Sequence, residues 1–158
     1  MFRKMRRSHQ QMPDDEVKKV LENASYGTLA VIGDNGYPYA VPVNFVYYND
    51  KIYFHCAKSG HKIDSINENS KVSFCIVGEE EVIPEKYTTY YKSVIVFGNA
   101  KTVIDDKLKR EAVTALAKKY VPFSDDEIKK EVDSFFNPLC VVEISIDSVT
   151  GKEYKPQQ

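Results

Sequence analysis

From Gly27 onward the chain reads with the period of β-strands, and turn residues interrupt it at short intervals. That pattern restricts the fold to one built on an antiparallel sheet. Thr28-Leu29-Ala30-Val31-Ile32 runs into Gly33-Asp34-Asn35-Gly36. Pro38 to Tyr48, rich in Val, Tyr and Phe, runs into Asn49-Asp50 and then Lys51-Ile52-Tyr53-Phe54-His55-Cys56-Ala57. Asn35-Gly36 is a strong hairpin signal, because both residues tolerate positive φ. Three strands joined so closely form a meander. Further strands are predicted over 72–77, 93–103 and 140–146, with an acidic loop at 78–81 and Gly98 at a bulge or close backbone approach.

Helical segments flank these strands. Pro13 suits a first helical position and is followed by Asp14, Asp15 and Glu16, where the helix dipole favours negative charge. Val17, Val20, Leu21 and Ala24 then form one apolar stripe, so 13–25 is a docking helix behind a basic arm, 1–12. A short helix follows His61-Lys62. Leu108, Ala112, Ala115 and Leu116 mark another, stopped by Pro122. Ser124 and Glu127 make a capping box that opens a last helix with Ile128, Val132, Phe135 and Phe136 on one face. The grouping is α+β in a single domain, 1–158. With at least six strands and few helices, a small closed or split barrel with the helices at its periphery is the most economical way to hide the sheet edges.

Charge and composition exclude several functions. The 22 basic and 23 acidic side chains balance, which argues against nucleic acid as a partner. Apolar runs such as Val94 to Phe97 are too short to span a bilayer, and the basic N-terminus lacks the apolar segment of a secretory signal, so a cytoplasmic location is expected. Cys56, Cys75 and Cys140 lie in strand-forming runs and read as small core residues rather than disulfide partners. No CxxC or HExxH spacing is present, so no metal site is expected. The P-loop, the G-x-S-x-G nucleophile elbow and the dinucleotide G-x-G-x-x-G fingerprint are also missing.

Two segments carry chemistry. His55-Cys56-Ala57-Lys58-Ser59-Gly60-His61-Lys62 joins the end of a strand to the start of a helix, and places two imidazoles, two ammonium groups, a hydroxyl and a glycine together. Backbone N–H groups at a helix N-terminus, with lysines beside them, make a phosphate site; a solvated basic loop is the plainer alternative. The second segment is Gly36-Tyr37-Pro38-Tyr39-Ala40-Val41-Pro42-Val43-Asn44-Phe45. Two prolines in one extended run mark an edge strand, or one whose backbone faces a ligand. A flat heterocycle there would take hydrogen bonds from the amides of Val43 or Asn44; an irregular edge strand is the alternative.

With Tyr91-Lys92-Ser93-Val94-Ile95-Val96-Phe97-Gly98 and Thr150-Gly151-Lys152-Glu153, these segments resemble the pyridoxamine 5'-phosphate oxidase-like flavin-binding split-barrel superfamily. Within it they are similar to the nitroimidazole-resistance (Nim) group. The resemblance runs from Met1-Phe2-Arg3-Lys4-Met5-Arg6-Arg7 to Gly151-Lys152-Glu153, and it is the order and spacing of the strings that make it specific. It implies a six-stranded antiparallel split barrel that forms a homodimer, with FMN bound noncovalently in two clefts at the subunit interface; FAD is the alternative cofactor. The ring would lie against Val41, Pro42, Val43 and Asn44, the phosphate near Lys58, Ser59, Gly60, His61 and Lys62, and Ser93 would contact the flavin from a neighbouring strand. His55 corresponds to a histidine beside the flavin and is the candidate catalytic residue, as a proton donor; a strand-end histidine that only bonds the phosphate or the backbone is the other reading. The implied activity is an FMN-dependent oxidoreductase taking electrons from NAD(P)H or another donor and passing them to a small flat acceptor such as a 5-nitroimidazole. A flavin carrier or sensor without turnover, pyridoxamine phosphate oxidation and haem handling are the alternatives.

Overall fold

The computed structural model describes residues 1–155, so the last three residues of the expected domain lie outside it. Seven strands form: β1 (Gly27–Ile32), β2 (Pro38–Val43), β3 (Val46–Tyr48), β4 (Lys51–Ala57), β5 (Lys71–Ile83), β6 (Thr88–Thr102) and β7 (Leu139–Tyr154). The helices are α1 (Asp14–Asn23), α2 (His61–Glu68), α3 (Asp106–Tyr120) and α4 (Asp125–Phe135). All strand pairs are antiparallel, in the order β2-β1-β5-β6-β7-β4-β3. The α+β expectation holds, with seven strands in place of six.

The additional strand arises because the run from Pro38 to Tyr48 divides at Asn44-Phe45. Its first part becomes one edge of the sheet and its second part the opposite edge. Two residues therefore connect the two ends of the sheet, and the sheet has to curl until those ends approach each other. No ladder joins β2 to β3, so the barrel stays unclosed. Side chains hold the crossing instead. The Tyr120 hydroxyl, at the end of α3, accepts the Phe45 N–H at 3.0 Å and lies 2.8 Å from the Phe45 carbonyl oxygen and 2.6 Å from that of Ser25. The Asn44 side-chain amide donates to Ser25 O at 2.9 Å, and Lys119 Nζ to Phe45 O at 3.0 Å.

The inside of the curl is filled by alternate strand residues. Leu29, Phe45, Phe54, Phe74, Ile76, Val94, Val96 and Val142 are wholly buried, with Phe45 and Phe74 packed edge to face. Val17, Val20 and Leu21 of α1 add to this core, as their spacing predicts. On the outer face Val46, Tyr53 and Val141 pack against Ala112 and Leu116 of α3, which makes a second, smaller core. Within it Glu143 is buried, accepting from Lys51 Nζ at 2.9 Å and from the Tyr53 hydroxyl at 3.0 Å. Burial alone would raise the pKa of Glu143, but these two donors outweigh it and hold the carboxyl below its usual value.

Two local expectations are corrected. Residues 78–81 are strand rather than loop, with Glu79 opposite Lys92, Glu80 opposite Tyr91 and Glu81 opposite Tyr90. Lys92 Nζ, 3.1 Å from Glu79 and 3.3 Å from Glu16, offsets charge that would otherwise disfavour pairing there. On α4 the capping box of Ser124 and Glu127 forms reciprocally, and Ile128 and Val132 are buried, but Phe135 is 57% exposed. Gly98 behaves as expected: the β6–β7 register shifts between Phe97 and Gly98, and a Cβ at Gly98 would strike the Ser145 carbonyl.

Candidate functional site

β4 ends at Ala57, the chain turns through Lys58-Ser59-Gly60, and α2 begins at His61. Gly60, with φ 126° and ψ 166°, occupies a backbone region open in practice only to glycine. Its carbonyl accepts from Ile63 and Asp64, which leaves the amides of His61 and Lys62 in the first turn without intrahelical partners. No side chain caps this helix end. Lys58 and Ser59 are exposed. Lys62 turns back toward β4 and lines a cavity of about 440 Å³ together with His55, Cys56 and Phe135.

His55 keeps one side open to solvent, and burial of the other lowers its pKa from the ordinary 6.5. The neutral imidazole is thereby favoured, which suits hydrogen bonding more than proton donation. His55 also lines a second cleft, of about 830 Å³, between the sheet and the α3–α4 pair. Asn44 reaches the same cleft from the β2–β3 crossing.

His61 goes elsewhere. Its ring stacks on Tyr39 at 4.3 Å between centroids, and its Nε2 accepts the Asp34 N–H at 3.3 Å. It braces the β1–β2 turn, where Asn35 (φ 57°) and Gly36 (φ 76°) adopt the positive φ that their sequence suggests.

β2 is an edge strand, in agreement with its prolines. Val41 and Val43 pack against the core while Ala40, Pro42 and Asn44 face outward. Pro38 and Pro42 have the same phase, and a nitrogen that cannot donate belongs on the free edge. By that phase the Val43 amide is directed at β1, and Ala40 supplies the edge-facing N–H. Asn44 lies just past the strand.

Ser93 is not brought to His55 within one chain. It stands on β6 opposite Lys152, whereas His55 stands on β4 opposite Val141. Positions 141 and 152 of β7 are separated by about 35 Å of extended strand. Ser93 shares the outer face of β6 with Ile95 and Phe97, both partly exposed, and Phe2 of the N-terminal arm stacks on Phe97. Sequence reading missed Tyr120 and Lys119. Their only signal was the pair Lys119-Tyr120 at a helix end, which does not reveal that the helix lands on the β2–β3 crossing.

No helix among the described residues is long and apolar enough to cross a membrane. The three cysteines are free. Cys56 and Cys140 oppose each other across β4 and β7, and burial first, then the neighbouring thiol, push the Cys56 pKa up, as befits packing groups.

No curated protein sequence matches the chain. Among solved structures, a putative 5-nitroimidazole antibiotic resistance protein from Bacteroides thetaiotaomicron is similar at TM-score 0.73 and 21% identity, over 90% of this chain and 86% of that one. A conserved hypothetical protein from Mycobacterium tuberculosis is similar at TM-score 0.84 and 19% identity, over 98% and 96%. An FAD-binding protein from Mesorhizobium loti is similar at TM-score 0.65 and 25% identity, over 92% and 97%. The pyridoxamine 5'-phosphate oxidase family model matches residues 13–153, nearly the whole curled sheet with its helices, and the chain belongs to that family.

Proposed function

We propose that the chain binds a flavin, FMN or FAD, and serves as an oxidoreductase that moves electrons from NAD(P)H or another donor to a small flat acceptor of the nitroimidazole kind. The observation that carries this reading is the β4–α2 turn. Gly60 opens the backbone, the first amides of α2 are free, and Lys62 shares a cavity with His55. That donor set suits the phosphate nearest a flavin ring. The Mesorhizobium relative is described as FAD-binding, which supports the same cofactor class.

When bound, a flavin supplies reversible two-electron chemistry. The residues of the chain do the rest. Lys58, Ser59, Gly60 and Lys62 fix the phosphate end. The outward face of β2 at Ala40, Pro42 and Asn44 gives a flat wall with one edge amide, and the uncharged His55 offers a hydrogen bond beside it without adding positive charge. Ser93 joins such a site only from a second copy, so the reading includes a homodimer formed through the outer face of β6, with Ile95 and Phe97 at its centre. The remainder of the site is the partner's counterpart of the same surface.

Anaerobic spectroscopy tests this. The protein mixed with FMN should retain a flavin spectrum through gel filtration, bleach with NAD(P)H or dithionite, and recover on addition of a nitroimidazole. A protein that never retains flavin contradicts the reading; one that retains it and is never re-oxidised by an acceptor is a flavin carrier. Lys62→Ala should weaken FMN binding about tenfold, the scale of one charge-assisted hydrogen bond, while Lys71→Ala stays near wild type. Equal effects would place the phosphate elsewhere.

A further inference from the structure

The α3–α4 cleft has a character different from the basic turn that it adjoins. Its deep wall is aliphatic, with Leu116, Ile128 and Val132 nearly fully buried. Two large rings at its lip, Phe123 and Phe135, are 59% and 57% exposed, an arrangement that costs solvation unless something covers them. Among the described residues, the charged side chains in the lining are two carboxylates, Glu127 and Glu131, with no lysine or arginine. Hydrogen bonds from the Ser124 hydroxyl and N–H hold the Glu127 carboxyl below its usual pKa, so that charge persists at neutral pH. Asn44 and His55 supply the neutral polar groups.

The volume, about 830 Å³, is that of a small-molecule site, and apolar walls with a few convergent polar groups are the usual composition of one. Two carboxylates with no cation in the lining disfavour an anionic ligand, above all a phosphate ester. His55, Phe135 and Leu139 line both this cleft and the 440 Å³ cavity that holds Lys62, so the two spaces meet at the imidazole.

We infer that the cleft between α3, α4 and β4, which adjoins the flavin wall at Asn44 and His55, is a binding site for an uncharged, planar, largely apolar molecule, held between Phe123 and Phe135, and that this is the class of acceptor the protein takes. The second half of that statement rests on the flavin reading above; the first half does not. The charge pattern makes a phosphorylated substrate such as pyridoxamine phosphate unsuited to this cleft.

Two dyes test it on the full chain saturated with FMN: Nile red, planar and uncharged, and 1-anilinonaphthalene-8-sulfonate, anionic. Nile red should bind saturably, at least tenfold more tightly than the sulfonate. Ala117→Trp, placed to fill the cleft from α3, should weaken Nile red at least tenfold and change FMN affinity less than twofold. Val113→Phe is the milder filler should the tryptophan variant not fold. Glu131→Lys should bring the two dyes to within about threefold of each other. Nile red affinity unmoved by either filler, or a sulfonate that binds as well as Nile red, overturns the assignment. Competitive expulsion of Nile red by FMN overturns it too, since the cleft would then hold the flavin ring. If FMN never binds while Nile red follows the expected pattern in the flavin-free protein, the cleft stands and the flavin reading falls.

Discussion

At Gly60 the backbone alone makes a prediction. The residue lies at φ 126°, and a Cβ there meets open space, so strain rather than a clash opposes a side chain. Gly60→Ala should cost about 1–3 kcal/mol, read by chemical denaturation, and should weaken FMN binding by displacing the first amides of α2. A variant as stable as wild type would mean that the turn relaxes freely. His55 gives a second prediction, whose sign follows from linkage. Its pKa is lowered in the fold, so the unfolded chain binds the proton more tightly below pH 6.5. The stability it contributes is complete above that value and is lost as pH falls through the folded value. The imidazole carbon-bound proton in NMR should titrate with a midpoint below 6.5, and His55→Gln should flatten the decline in stability on the acid side. A midpoint above 6.5 would show a nearby anion that the structure lacks. The identities of His55, Lys62 and Gly60 were legible because strand, glycine and helix start are contiguous in sequence. The destination of His61 was not, since stacking on Tyr39 depends on how the β1–β2 turn folds over α2.

The decisive element is the crossing at Asn44-Phe45, with α3 set down on it. Tyr120→Phe keeps the ring and removes the hydroxyl that meets the Phe45 N–H and the Phe45 and Ser25 carbonyls. The Phe45 N–H is then left without a partner, while Lys119 and Asn44 still reach the two carbonyls, and stability should fall by about 1–3 kcal/mol. Hydrogen exchange at the Phe45 amide should accelerate before the β6–β7 ladder is affected; uniform acceleration would show a global effect instead. The sequence marked this stretch as extended and proline-interrupted, which was correct for β2, but period-2 alternation cannot reveal that a strand changes edges. In the same way the acidic residues 79–81 read as loop because their partners, Lys92, Tyr91 and Tyr90, lie about a dozen positions away. Local pattern was informative wherever the cause was local, as in the capping box at Ser124, and silent where a cross-strand neighbour decided.

For the whole molecule, the question is how many copies make one site. Ser93 and His55 attach to opposite stretches of β7, and Ile95 and Phe97 surround Ser93 on an exposed face. Ile95→Glu should convert a dimer to a monomer in sedimentation velocity, and flavin retention should fall with it. A monomeric variant that still binds FMN at wild-type affinity would confine the site to one chain. The family and the antiparallel α+β architecture were legible from the order of motifs along the entire chain. The homodimer came from the resemblance alone, because no residue pattern in a single sequence names the face that would form it.

The unclosed sheet leaves two rows of backbone groups that any other extended chain is able to pair with, and open edges of this kind are templates for aggregation. Both ends are blunted here. β2 presents prolines at two of its six positions, and β3 is three residues long. The prolines that made one strand look irregular therefore guard against edge-to-edge pairing, so the same residues that shape the wall proposed for the flavin deny it to a foreign strand.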